Sequence, residues 1–363
     1  MSDNRPVVFL IHGMGVHKAG WEVSWIDSMQ ETLKNSGYTY FQTNNIKNTV
    51  DFCPINYDSI FVDLLGGWSN TATKVMELKG MKMAGELSDA VNWAADINKS
   101  DSSFIRDSVL DVLLWRLGHV TRNDIINEVA TQITEKLLTL TPQRRSNCHV
   151  ISHSLGTSVI DRVLDAIATN EWQNGAPSGF DSKKFRFNSV HTLANVSLIL
   201  ETKEHQIAQS MVRPANTQQP LGYTQVFCNY KHKLDPFTLL KPLNAGELFN
   251  EKELCNDIAI SHIHDANVHA FSHYFKHPSV HQSIVNNLLP ATVSYIERMS
   301  AKAAFKHTNI VQTINSVGLT DEAKVLQELT LINEMIESEI AEGSSLLKVL
   351  LSAIYLYEKG NLK

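Results

Sequence analysis

No apolar run in the chain approaches the roughly 18 residues that cross a bilayer, so no transmembrane segment is expected. Cysteine is scarce. Cys53, Cys148, Cys228 and Cys255 stand singly in apolar, strand-like surroundings, without CxxC spacing or the density of a disulfide scaffold. They read as buried thiols in a reducing compartment, and a cytoplasmic location is the expectation. Positive charge is not in excess: the formal net charge is −6, which excludes the basic footprint of a nucleic-acid partner. Internal repeats and low-complexity segments are missing as well. The opening residues lack the pattern of a signal peptide, since Asp3 precedes an apolar run that comes too soon and is too short. What is present is 43% hydrophobic residues in 363 positions, enough for one large globular domain with insertions or for two domains.

The chain is organised around Asn147-Cys148-His149-Val150-Ile151-Ser152-His153-Ser154-Leu155-Gly156-Thr157. An apolar run of β character enters this stretch, and a helix-forming run, Val159 to Ala168, leaves it. Between them, small-X-Ser-X-Gly is the pattern of a serine lifted out on a sharp strand-to-helix turn. Such a turn strains the serine backbone and requires small neighbours two before and two after. Gly156 and Ser152 meet that need. The hydroxyl of Ser154 then stands above a helix N-terminus, whose N–H groups suit a developing oxyanion.

In chain order, Pro6 to Ile11 reads as a strand buried on both faces, running into His12-Gly13-Met14-Gly15. Glycines in such a turn let backbone N–H groups approach an acyl oxygen. Trp21 to Leu33 is an amphipathic helix, and Thr49 to Ile55 the next strand. From Tyr57 to about Leu140 the pattern is helical throughout, an insertion expected to cap the strand ends. Met76, Met81 and Met83 within it fit either a pliable pocket lining or plain core, core being the commoner use. Strands follow around Val190–Ala194, Gly222–Tyr230 and Leu254–Ile263, and charged amphipathic helices fill the chain from Ser279 on.

The second of these strands leads to Asp235-Pro236; the last empties into a run crowded with histidine. Asp235 also fits a simple Asp-Pro turn, with Asp257 and Asp265 as substitutes. Among His262, His264, His269, His273, His277 and His281, His269 lies on the loop side, whereas His273 falls one turn into the following helix.

Serine, then aspartate, then histidine, each after a successive strand, together with the His-Gly turn after the first strand, resembles the α/β-hydrolase superfamily, and within it the lipase and serine-esterase branches. The resemblance covers residues 5–290 as a framework, with the elbow and the His-Gly turn as its specific parts; Ser152 stands where glycine is usual. It implies an α/β fold with a mostly parallel sheet flanked by helices. A domain over residues 1–300 would contain a helical cap at about 57–140, followed by a helical extension over 301–363. It also implies ester hydrolysis with Ser154 as nucleophile, His269 as base (His273 as the alternative) and Asp235 as its orienting acid. The N–H groups of Met14 and Leu155 would form the oxyanion hole. No cofactor or metal is expected. The substrate would be a small-molecule or lipid ester or an acyl thioester, with amides and peptides also open, and transient contact with a membrane surface is left open.

Two other classes compete. His269, His273 and His277 recur every four residues, as metal ligands on one helix face would, although HExxH is missing and Pro278 disturbs the helix. A hydrolase fold acting as a non-catalytic scaffold through its helical tail is the other.

Overall fold

Val7–Ile11 (β1) has no polar residue, and all five of its side chains are buried. Strand geometry sends alternate side chains to opposite faces. Val7, Phe9 and Ile11 enter one core; Val8 and Leu10 enter the other. Each side chain so buried stabilises the fold by about 1.5–3 kcal/mol. This double burial explains why the strand reads as a continuous apolar run.

The structure, a computed structural model, describes residues 4–13, 17–60, 115, 119–202, 205–214, 222–233, 235–239, 241–262 and 268–305. Six strands form one all-parallel sheet: β1, Asp51–Ile55 (β2), Cys148–His153 (β3), Phe187–Leu193 (β4), Thr224–His232 (β5) and Cys255–Ile260 (β6). Their spatial order is β2-β1-β3-β4-β5-β6. Helix Glu22–Asn35 (α1) packs on the Val8/Leu10 face, with Phe271–Lys276 (α4) and Pro278–Leu288 (α5). The opposite face is covered by His119–Thr139 (α2) and Leu155–Thr169 (α3), which lie against each other. The mostly parallel α/β sheet with flanking helices therefore agrees with the sequence reading, and every strand lies within a few residues of its expected place.

Most of the expected cap, residues 61–114 and 116–118, lies outside the described residues, as do Met76, Met81 and Met83 and residues 306–363. The described end of that stretch is Trp115, whose indole N–H donates to Ser158 Oγ at 2.9 Å, and α2, a member of the sheet's own flanking layer. Among the described residues no helix is long and apolar enough to cross a membrane.

The chain leaves β1 toward β2, then returns past β1 to reach β3. The direction of winding thus reverses between β1 and β3. In open parallel sheets such a reversal opens a crevice beyond the carboxyl ends of the two strands, because their connections depart on opposite faces. Ile11 is in register with Ser152, so His12-Gly13 and Ser154 face each other across that crevice.

Candidate active site

Ser154 lies between β3 and α3 with φ 55° and ψ −129°, a region that a side chain enters at a cost of about 1–3 kcal/mol. Its surroundings hold it there. The Ser154 N–H donates to the Leu193 carbonyl at 3.0 Å, and the Ser154 carbonyl accepts from the N–H and the hydroxyl of Thr157 at 2.9 and 2.7 Å. Both glycines are required by close approach. A Cβ on Gly156 would stand 2.2 Å from the His12 carbonyl oxygen, and one on Gly13 would stand 2.7 Å from Ser154 Cβ. Ser152, where glycine is usual in the resembling family, uses its hydroxyl: it donates to the His191 carbonyl of β4 at 3.2 Å.

Two side chains more than 80 residues further along the chain complete the arrangement. The Ser154 hydroxyl meets His269 Nε2 at 2.8 Å, and His269 Nδ1–H donates to Asp235 Oδ2 at 2.8 Å. Asp235 is fully buried, and both of its oxygens are used. Oδ1 accepts the Phe237 N–H at 3.0 Å, closing the turn that an Asp-Pro pair predicts; Oδ2 takes His269 and the Tyr274 hydroxyl, the latter at 2.8 Å. The turn and the histidine contact are thus two functions of one carboxylate. Burial alone would raise its pKa. The His269 field and hydrogen bond, with the Tyr274 and Phe237 donors, outweigh burial and carry it below the ordinary carboxylate value.

Helix α4 starts at Phe271, so His269 stands before it and His273 inside it, as the sequence predicts. His273 turns away from Ser154: its Nε2–H donates to the His262 carbonyl at 3.0 Å, while His262 returns the contact to the His273 carbonyl at 3.1 Å. His277 caps α5 by accepting the Ser279 N–H, and His281 lies against Tyr38 and the Phe275 carbonyl. Asp257 accepts from the N–H groups of Ala245 and Gly246 and so caps the Ala245–Leu248 turn. His264 and Asp265 lie outside the described residues. The helical metal triplet is not formed, because His269 faces Ser154 and His277 is committed to its cap.

Leu155, which follows the serine, opens α3, where the first N–H groups have no acceptor in their own helix. Met14 lies outside the described residues.

Sequence reasoning missed two residues that fix the geometry. Tyr274 donates to Asp235 and accepts the His232 N–H at 3.1 Å. Its one signal was general: a buried tyrosine needs a partner for its hydroxyl. His153, inside the elbow motif itself, donates from Nε2–H to the His269 carbonyl at 2.6 Å. Burial, then the nearby His269 charge, lower its pKa to about 3, so the ring is a neutral donor. Trp25, stacked at 4.0 Å on Phe271, closes the apolar side of this contact.

Chemically, the arrangement offers a hydroxyl beside an imidazole that can take its proton, with a buried carboxylate to balance the resulting charge. Comparison of the chain with protein-family models, with curated proteins and with solved structures finds no match.

Proposed function

We propose that the protein is a serine hydrolase of the α/β-hydrolase type that cleaves a carboxylic ester through an acyl-enzyme. The observation that carries this reading is the unbroken chain Ser154 Oγ–His269–Asp235, two contacts of 2.8 Å each, on a serine at positive φ. His269 takes the Ser154 proton as Oγ attacks the acyl carbon, and gives it to the leaving alkoxide. Asp235 holds the imidazole in the tautomer with Nδ1–H and stabilises the imidazolium that forms. The Leu155 N–H, with that of Met14 as expected from the sequence, binds the oxyanion. Water then attacks the acyl-enzyme with His269 again as base, releasing the acid and restoring the serine. The strand order supports the same fold type, since the crevice at the reversal between β1 and β3 holds both the His12-Gly13 turn and the nucleophile. Four free cysteines, three buried and one half-buried, fit the reducing, cytoplasmic setting expected from the sequence.

The test is covalent labelling by a fluorophosphonate, combined with turnover of a chain-length series of p-nitrophenyl esters. Ser154→Ala is expected to abolish both, and to leave thermal stability equal or slightly higher, because removing a hydroxyl relieves polar crowding at a strained position. Retained labelling in that variant would reject the nucleophile. A protein that labels but turns over no ester would move the substrate to thioesters or amides. The chain length of best turnover separates small esters from lipid esters.

A further inference from the structure

His12, His17 and Asp58 form a second chemical cluster, and the mechanism above uses none of their side chains. His12 is fully buried at the carboxyl end of β1. Its Nδ1–H donates to the Gly13 carbonyl at 3.0 Å, a contact only a protonated Nδ1 can make. With its proton on Nδ1, the neutral ring carries its lone pair on Nε2. That lone pair faces a carboxylate: Nε2 lies 3.4 Å from Asp58 Oδ1 and makes no hydrogen bond. His17 Nδ1 lies 3.4 Å from Asp58 Oδ2, which also accepts the His17 main-chain N–H. An acceptor facing an anion across a buried gap is unfavourable unless a cation lies between them.

The spacing fits such an ion. A good N–H···O bond spans about 2.7–3.2 Å, shorter than either contact. Ligands bound at about 2.0–2.1 Å around a tetrahedral zinc ion lie about 3.4 Å apart, the separation of His12 Nε2 from Asp58 Oδ1. One ligand atom from each of the three residues lies within 4.8 Å of the others. The His12 Nδ1–H bond to a main-chain carbonyl is also the outer contact that orients metal-ligating histidines.

We infer that His12 Nε2, His17 Nδ1 and the Asp58 carboxylate form a binding site for a zinc-class divalent ion that ties His12 and His17 to the residues following β2. Two imidazoles and a carboxylate suit a borderline transition metal over calcium or magnesium, which prefer oxygen. Three protein ligands leave a fourth position for water. The His17 ring is stacked on that of His12, centroids 4.1 Å apart and planes 25° apart, so His17, which is partly exposed, must turn to bring Nδ1 to the ion. Tyr57 donates to the His12 carbonyl at 2.6 Å and stacks on its ring, holding the inner ligand in place. The ion would act on the turn beside the nucleophile by positioning it. Another trio, His232, His262 and His273, also brings its ring nitrogens within 4.8 Å of one another. Its His262 and His273 rings are stacked with planes 3° apart, and both are buried and pinned by Nε2–H bonds to each other's carbonyls, so neither can turn toward an ion.

The test uses the full chain, stripped of metal by a chelator and titrated with zinc alone by calorimetry, with thermal unfolding followed in parallel. Expected are one equivalent of zinc at micromolar affinity or tighter, a raised unfolding temperature and, with cobalt(II) instead, the visible bands of a tetrahedral ion. His17→Gln and Asp58→Asn should each weaken binding by about tenfold to a hundredfold or more, and His262→Gln should leave it unchanged. If Asp58→Asn does not fold, His17→Gln, at a partly exposed side chain, carries the test. Zinc affinity in the millimolar range, or affinity lost in His262→Gln and kept in His17→Gln, would overturn the site. No substrate enters these measurements, so their outcome stands apart from that of the ester-hydrolase proposal.

Discussion

Four buried histidines near the carboxyl end of the sheet, His232, His262 and His273 against His269, use their rings in opposite ways. In His232, His262 and His273, every Nε2–H donates to a main-chain carbonyl, at 2.6, 3.1 and 3.0 Å. In His269 both nitrogens meet side chains that exchange protons, a hydroxyl and a carboxylate. A carbonyl oxygen only accepts, so it locks one tautomer and stitches the loops together. A hydroxyl and a carboxylate on opposite nitrogens make a path along which a proton can move. Residue type and burial are shared by all four, so it is the partner of each nitrogen that separates a ring that stitches loops from one placed to pass a proton.

The sharpest way to break this contrast is to exchange His269 and His273 for glutamine in turn. His269→Gln is expected to lower ester turnover by roughly 10⁴–10⁶ with little change in unfolding temperature. His273→Gln is expected to do the reverse, losing about 1–3 kcal/mol of stability through its lost contact with the His262 carbonyl. Steady-state kinetics and thermal unfolding on both variants decide it, and exchanged phenotypes would make His273 the base.

Asp235→Asn keeps the shape and removes the charge. An amide can present its N–H to His269 and favour the wrong tautomer, so turnover should fall by roughly 10⁴. Fluorophosphonate labelling rates give an independent reading, and a loss of less than tenfold would demote Asp235 to a turn residue.

Acid should unfold the structural histidines' surroundings early. Burial lowers the pKa of His149 and His281 to about 4 and that of His153 and His191 to about 3. In the unfolded chain these rings titrate near 6.5. Between that value and their folded values the unfolded chain binds protons that the folded one refuses. Their contribution is therefore complete above about pH 6.5 and declines as pH falls, each ring costing up to about 1.4 kcal/mol per pH unit. The urea midpoint should drop steeply between about pH 6 and pH 4.5, before carboxylates protonate near 3.9. A midpoint flat across that window would mean the rings are not buried as neutral donors.

The smallest effect belongs to Tyr274→Phe. Losing one donor to Asp235, and the acceptor of the His232 N–H, should cost about 1–2 kcal/mol and raise the Asp235 pKa. The acid limb of the pH–rate profile should move with it. Loss of stability with an unmoved profile would make Tyr274 a packing residue only.

Much of this arrangement was legible beforehand, and for local reasons. A strand buried on both faces must be apolar at every position, so β1 and β3 announce themselves. The elbow needs small residues at fixed offsets, which marks Ser154. The start of α4 could be placed from the helical run, which put His269 on the loop side. His153 and Tyr274 were not legible, because a donor that acts on a main-chain carbonyl or on a distant carboxylate leaves no periodicity or spacing behind. Nor was the pairing of His12 with Asp58, across a turn and a strand end.

By itself, then, the sequence determined the alternation of strands and helices, the serine at the turn, and the order in which the aspartate and histidine follow. Those depend on burial period and on steric needs within a few residues. Only the tertiary structure decided which imidazole meets Ser154, what else Asp235 holds, and that His12 Nε2 faces the Asp58 carboxylate. His269 and Ser154 are 115 residues apart, and a 2.8 Å contact between them rests on the register of four parallel strands and the start of one helix. A shift of one residue in any of these turns a side chain to the opposite face, and such positions are chosen by the packing of the whole sheet.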